Sequence, residues 1–416
     1  MTISLKEMQD EVKKYNQPQL LAFYDKLDEE KKAELSDQIS HIDFNQMENL
    51  YKEVGNTHKN TEEKIEPIEY IEKSKLTLSE IEKYTKIGAE KISQGALAIV
   101  TMAGGQGTRL GHNGPKGTFM LGLNPDKSLF QILCEQIEEA NKKYNVKIPW
   151  YIMTSKENNN QTIAFFEKNN YFNYDKELIK FFMQGELPMM DKSGKILLDE
   201  KGLVKLAADG HGGVFEAMFK NGVVEDMKKR HIEWVFIGPI DNPLAKMVDE
   251  VLIGISEETH AMGAGKSIVK ANPQEKVGVF CKRDGKPSVV EYTEISEDMA
   301  NATDNTGELL YGESHLNCNM FSLKGIEKIG DEKLPYHVAF KKAAYMDENG
   351  QIVNPDSPNA YKFESFIFDA FSKLDKMAIL RVKREDEFAP VKNKEGVDSP
   401  ETSRKLYIDF MKRKNV

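Results

Sequence analysis

The stretch LAIVTMAGGQGTRLGHNGPKGTF, residues 97–119, decides how the rest of the chain is read. It opens on a short apolar run, Leu97–Met102, which reads as a strand. It then turns at once into glycine, with Gly104, Gly105, Gly107, Gly111, Gly114 and Gly117 interleaved with Arg109 and Lys116. Glycines let backbone N–H groups approach an anion closely, and the two cations add positive charge. Two common phosphate-binding patterns fail on spacing. Gly105, Gly107 and Gly111 are spaced GxGxxxG rather than GxGxxG, and Pro115 interrupts any helix there. Around Lys116 the GxxxxGK[ST] pattern of the Walker loop is absent.

Outward from this loop, further apolar runs recur at Trp150–Met153, Lys180–Met183, Trp234–Ile237, Ser267–Lys270 and Val277–Cys281. Amphipathic segments around Leu129–Lys143, Thr162–Asn169 and Gly213–Arg230 separate them. Strands alternating with helices predict an α/β fold with a mainly parallel sheet, whose ligands bind in the loops at the strands' carboxyl ends. Upstream the character changes. Residues 1–93 hold only Gly55 and Gly88 of the 29 glycines, and they carry two capping-box patterns, Ser4-x-x-Glu7 and Thr77-x-x-Glu80. Gly55 to Pro67, poor in apolar residues, reads as a loop. The expected organisation is an N-terminal helical region over 1–93, a Rossmann-like catalytic domain over 94–333 and a C-terminal region over 334–416.

Composition bounds the function. The chain has 416 residues, 57 Lys and Arg against 67 Asp and Glu, and a net charge of −10. That balance fits a soluble globular protein and argues against nucleic-acid polymers or anionic membranes as partners. It leaves room for a small anion in a locally basic pocket. Residues 1–93 contribute 14 basic and 20 acidic side chains, so the acidity resides largely in the helical region. No apolar stretch reaches the ~18–20 residues that span a bilayer. The three cysteines, Cys134, Cys281 and Cys318, are too few and too far apart for a disulfide framework or a CxxC metal site. A reducing cytoplasm is expected.

The 97–119 stretch closely resembles the signature GGxGTRLGxxxPK of the UTP-dependent sugar-1-phosphate uridylyltransferases, and within them most resembles the UDP-N-acetylglucosamine pyrophosphorylases. Similar motifs follow in the family's order. They are Asn169-Asn-Tyr-Phe, Phe181-Phe-Met-Gln-Gly-Glu-Leu-Pro188, Asp209-Gly-His-Gly-Gly213, Ile240-Asp-Asn242, Val289-Val-Glu-Tyr-Thr-Glu294, Arg384-Glu-Asp-Glu-Phe-Ala-Pro-Val-Lys-Asn393 and Asp398-Ser-Pro. The resemblance implies a Rossmann-like, GT-A-like nucleotidyltransferase fold. It also implies attack of a sugar-1-phosphate oxygen on the α-phosphorus of UTP, with Mg²⁺ as cofactor and pyrophosphate as leaving group. Because the nucleophile is already an anion, such a site needs alignment and charge neutralisation rather than a general base.

By that resemblance Gly104, Gly105, Gly210 and the amide of Gln184 serve the nucleotide. A glutamine amide offers uracil both a donor and an acceptor. Arg109, Lys116 and Lys392 are the catalytic cations, and Asp241 is the metal carboxylate. Asp241 precedes Pro243, so an Asx turn is its competing reading. The sugar side is assigned to His211, Gly212, Glu291, Tyr292, Asn319, Lys362, Phe366 and Phe368. Asn317 competes with Asn319, and a plain core role competes for Phe366 and Phe368. His211 stands where the acetylglucosamine enzymes usually carry Asn, and Gly238-Pro239 before Ile240 is also unusual. Glucose-1-phosphate or galactose-1-phosphate as substrate, or a non-catalytic nucleotide-sugar binding protein, are the alternatives.

Overall fold

The computed structural model describes residues 4–55 and 63–414. The chain forms two compact units and passes back and forth between them. The first takes the described residues of 1–62 with 185–213 and 334–366; the second takes 63–184, 214–333 and 367 onward. This division differs from the expected 1–93, 94–333 and 334–416 because it follows tertiary packing, which glycine usage along the chain does not report.

The second unit is built on a sheet whose main path has eight strands. They are β1 (Ile71–Glu72), β2 (Leu97–Met102), β3 (Trp150–Thr154), β4 (Ile179–Met183), β5 (Trp234–Pro239), β6 (Gly263–Val269), β7 (Glu313–Ser322) and β8 (Met377–Arg381). Their order is β1-β8-β6-β7-β5-β2-β3-β4. Every neighbouring pair is parallel except those of β7, which runs antiparallel to β6 and β5. The mixed, mainly parallel sheet expected from the sequence is therefore present. β2 lies inside it, paired with both β5 and β3, and all six of its residues are buried. A parallel strand buried on both faces reads as a continuous apolar run, and Leu97–Met102 does.

Local signals account for most helices. Ser128 accepts a hydrogen bond from the Gln131 N–H and starts the Leu129–Tyr144 helix, which buries Leu129, Phe130, Ile132, Leu133 and Ile137. Both capping boxes form, at Ser4 and at Thr77. The segment expected as one helix over Gly213–Arg230 is instead two, Val214–Lys220 and Val223–Lys229. Gly222 separates them at φ +62°, a left-handed conformation natural to glycine. The expected loop from Gly55 to Pro67 falls largely outside the described residues at 56–62, and Ile65–Pro67 forms a short strand on Val279–Arg283. Region 1–93 is thus not purely helical.

Gly88, the one isolated glycine of the Thr77-capped helix (Leu78–Ser93), lies where that helix crosses Glu250–Glu258. A Cβ at Gly88 would stand 1.8 Å from the Glu250 carbonyl oxygen, and one at Gly254 would stand 2.0 Å from that of Tyr84. Each glycine thus admits the other helix's main chain. Alanine is intrinsically the better helix former by ~1 kcal/mol, but backbone cannot yield as a flexible side chain can. Gly88→Ala should therefore lower stability by about 2–3 kcal/mol. Urea unfolding checks this, and an unchanged midpoint would contradict the close crossing.

In the first unit, helices Leu5–Lys14, Glu29–His41 and Phe44–Glu53 share a core with chain remote from them. Met8, Leu20, Leu35, Ile39, Phe44 and Met47 pack with Met190, Ile196, Leu198, Leu203, Val204 and Phe363. Buried Gln17 joins the same segments by hydrogen bonds to the Gly194 carbonyl at 2.9 Å and from the Ile196 N–H at 2.9 Å.

Candidate active site

At the carboxyl end of β2 the glycine-rich segment folds back on itself. The Gly107 N–H donates to the Gly114 carbonyl at 2.9 Å, and the Lys116 N–H donates to the Gly105 carbonyl at 3.0 Å. Between these ties Thr108–Leu110 makes one tight turn, closed by Gly111 at φ +72°, and carries Arg109 outward into solvent. Asn158 pins the base of the loop. It is fully buried, and its Nδ2 donates to the Ala103 carbonyl at 2.9 Å and the Gly105 carbonyl at 3.3 Å. Its role went unseen in the sequence, where it is one of three consecutive asparagines with no pattern to mark it.

Gln184 lies just past β4, its N–H donating to the Thr154 carbonyl at 2.8 Å. A Cβ on Gly104 would fall 2.5 Å from Gln184 Oε1, so this glycine leaves the amide its space. The structure therefore brings together the expected pair, Gly104 and Gln184. Lys116 is buried, and its Nζ donates to Asp241 Oδ2 at 2.7 Å. Gly117 beside it admits no side chain, since a Cβ would meet the Phe130 ring at 2.2 Å. Asp241 follows β5, and its carbonyl accepts from the Val391 N–H at 2.9 Å. Lys392 is next in the chain. Its N–H donates to the Asp398 carbonyl at 2.7 Å, and its Nζ stands 3.7 Å from Asp398 Oδ2 and over the Phe388 ring.

The remaining assigned residues of the second unit are more dispersed. Glu291 has its carboxylate beside Gly278, where a Cβ would meet Oε1 at 3.0 Å, and Tyr292 is exposed. Asn319 lies within β7, fully buried, with Oδ1 3.0 Å from His315 Nε2 and Nδ2 without a hydrogen-bond partner among the described residues. Its rival Asn317 adopts φ +57°. Phe368 is buried at the edge of an aromatic group with His315, Phe280 and Phe371.

In the first unit, Asp209–Gly213 lies flat on the Ser365–Phe366 backbone. The Ser365 N–H donates to the Asp209 carbonyl at 2.7 Å and the Gly212 N–H to the Ser365 carbonyl at 2.9 Å. Gly210, at φ +89°, and Gly212 face that backbone so closely that a Cβ would stand 2.2 Å and 2.7 Å from it. The ring of His211 lies 5.4 Å from that of Phe366, which stacks on His337 at 4.7 Å. Lys362 Nζ is 2.8 Å from Glu364 Oε1.

At the carboxyl ends of its strands the α/β sheet thus presents a glycine-rich loop, a lysine–aspartate pair and a glutamine amide. The chain belongs to the UTP--glucose-1-phosphate uridylyltransferase family, whose model matches residues 43–397. It is 36% identical over 426 residues to a probable UDP-N-acetylglucosamine pyrophosphorylase of Dictyostelium discoideum, covering 96% of this chain and 87% of that one. It is 40% identical over 338 residues to the UDP-N-acetylglucosamine pyrophosphorylase of Saccharomyces cerevisiae, covering 78% and 71%. Among solved structures, the Trypanosoma brucei uridine diphosphate N-acetylglucosamine pyrophosphorylase, in complex with an inhibitor, superposes with a TM-score of 0.84 at 31% identity, covering 98% of this chain and 85% of that one.

Proposed function

We propose that the protein makes UDP-N-acetylglucosamine and pyrophosphate from UTP and N-acetylglucosamine-1-phosphate. Supporting this reading is the convergence of Gly104 on Gln184 and of Lys116 on Asp241 at the carboxyl ends of β2, β4 and β5, in a chain whose relatives carry that name. A phosphate oxygen of the sugar phosphate attacks the α-phosphorus of UTP, the bond to the β-phosphate oxygen breaks, and pyrophosphate leaves. The Gln184 amide, with Gly104, Gly105 and Gly210, reads the uracil. Arg109, Lys116 and Lys392 neutralise phosphate oxygens and the leaving pyrophosphate. A forked guanidinium suits two oxygens at once, while an ammonium acts as a point charge. His211, Gly212, Glu291, Tyr292, Asn319, Lys362, Phe366 and Phe368 are the proposed sugar-side set.

Mg²⁺ fits this donor set. It is commonly held by one or two carboxylates, with substrate phosphates and water completing its shell. Asp241 supplies one such carboxylate, and Lys116 already shows that it attracts a cation. Bound there, Mg²⁺ would add charge neutralisation to that of the lysines. The buried free thiols of Cys134, Cys281 and Cys318 fit a reducing cytoplasm.

A panel of sugar-1-phosphates with UTP, read by pyrophosphate release, tests the reading. N-acetylglucosamine-1-phosphate should give the highest kcat/KM. A higher value for glucose-1-phosphate would overturn the sugar assignment, and UTP binding without turnover of any sugar would leave only a binding protein. His211→Asn should change the ratio between sugars at least threefold and leave the KM for UTP within about twofold, since one methylene-sized contact discriminates by ~10-fold or more. An unmoved ratio removes His211 from the sugar side.

A further inference from the structure

The segment that follows the short helix Arg384–Glu387 belongs to no helix or strand, yet it is fully buried at Ala389 and Val391. Buried main-chain N–H and C=O groups need partners; here the Asn242 side chain supplies two of them, and Ser403 Oγ donates to the Ala389 carbonyl at 2.6 Å. Asn242, 2% exposed, donates from Nδ2 to the Glu387 carbonyl at 2.7 Å and accepts at Oδ1 from the Ala389 N–H at 3.0 Å. The same Oδ1 accepts from the Leu244 N–H at 3.3 Å, so the carboxamide also shapes its own turn. Two residues further on, past Pro390, the Val391 N–H closes on the Asp241 carbonyl. Glu387 is itself fixed by an ion pair with fully buried Lys266.

We propose that Asn242 is a positioning residue that sets Lys392 relative to Asp241. Its carboxamide substitutes for the ladder that a strand would provide, and it locks the register of 387–391 against the 240–244 turn. The inference rests on the roles proposed above for Asp241 and Lys392. Alignment of reacting groups is sensitive to shifts of about 1 Å, which can lower rates ~100-fold. The amide is specific to the task. Aspartate could accept from Ala389 and Leu244 but would turn an oxygen toward the Glu387 carbonyl in place of a donor.

A double-mutant cycle between Asn242→Ala and Lys392→Ala tests this, with kcat, KM for UTP and UTP binding by equilibrium dialysis as readouts. Asn242→Ala alone should lower kcat about 10–100-fold and leave the UTP dissociation constant within about threefold. In the Lys392→Ala background the same substitution should cost less than about threefold, because groups that act through one another are not additive. Fully multiplicative losses, or an unchanged kcat in Asn242→Ala, would overturn the proposal. Should the alanine variant not fold, Asn242→Asp, which keeps both acceptor bonds, runs through the same cycle with the same criteria. If Lys392→Ala alone left kcat unchanged, the role of Lys392 itself would fall, and that result is visible without any change at Asn242.

Discussion

Replacing Lys116 by Met should lower kcat/KM for uridylyl transfer by about 100–1000-fold, the range for loss of one preorganised group that stabilises transition-state charge. The lysine is held ready. Its main chain is tied on both sides, by the Lys116 N–H to Gly105 and by the Phe119 N–H to the Lys116 carbonyl at 3.1 Å. The next residue, Gly117, packs its main chain against the Phe130 ring, which further fixes the backbone that carries the lysine. Without substrate it neutralises Asp241. Because the Asp241 carboxylate keeps partial access to water, 20% exposed, the variant should fold with a near-normal melting temperature. Lys116→Arg should restore little activity, since a longer planar guanidinium does not fit the space of a compact ammonium beside Gly117. Pairing Lys116→Met with Asp241→Asn should cost scarcely more than the worse single substitution, because the proposed roles of both converge on one group of phosphates. Steady-state kinetics with melting curves check all three. A Lys116→Met enzyme within threefold of the parent would remove Lys116 from the catalytic set.

Legibility in the sequence followed locality. Leu97–Met102 was readable as a strand because both of its faces are buried, and Ser4 and Thr77 announced helices through bonds that close within three residues. Gly104, Gln184, Lys116 and Asp241 were assigned through resemblance, since no spacing rule joins positions so far apart, and the ion pair between Lys116 and Asp241 came only with the structure. What stayed hidden is what depends on distant chain. The helices of the first unit complete their core with 185–213 and 334–366, and nothing in Met190 or Phe363 announces that partnership. Ile71–Glu72 is two residues long and is fixed only by pairing with Leu380 and Arg381. Asn158 and Asn242 stood in view, the second inside a quoted motif. Asparagine is normally a turn or surface residue, and only burial reveals each as a main-chain staple.

The second large effect concerns stability, and it centres on a lysine with no expected role. Lys266, in β6, is fully buried, with Nζ 2.8 Å from Asp249 Oδ2, paired with Glu387 and donating to the Lys246 carbonyl at 3.0 Å. Lys246 and Lys73 approach Asp249 at 3.3 Å and 3.9 Å, and Lys246 also reaches Glu250 at 3.2 Å. Lys266, Lys246 and Lys73, with Lys143 3.3 Å from Glu250, thus face Asp249, Glu250 and Glu387. Burial by itself pushes the Asp249 carboxyl up, but Lys246, Lys266 and Lys73 together outweigh it and hold the group well below the usual range. Burial likewise pushes Lys266 down, and Asp249 and Glu387 reverse that, leaving it raised. The signs define a window. The lowered Asp249 stabilises the fold above its unfolded pKa of ~3.9 and loses that contribution as pH falls through its folded value. The raised Lys266 stabilises below its unfolded ~10.4 and loses it as pH rises through its folded value. Lys266→Met takes a fully buried cation away from buried Asp249 and Glu387, and stability should fall by about 3–5 kcal/mol, with a melting temperature lower by on the order of 10 °C. With the lowering influence of Lys266 gone from Asp249, acid unfolding should begin at higher pH than in the parent. Adding Asp249→Asn should recover much of the loss. The amide oxygen can still accept from the Val251 and Leu252 N–H groups, which Asp249 now caps at 3.1 Å and 3.4 Å, while the buried charge is gone. A double variant less stable than Lys266→Met would show that the cluster is held by shape rather than by charge balance.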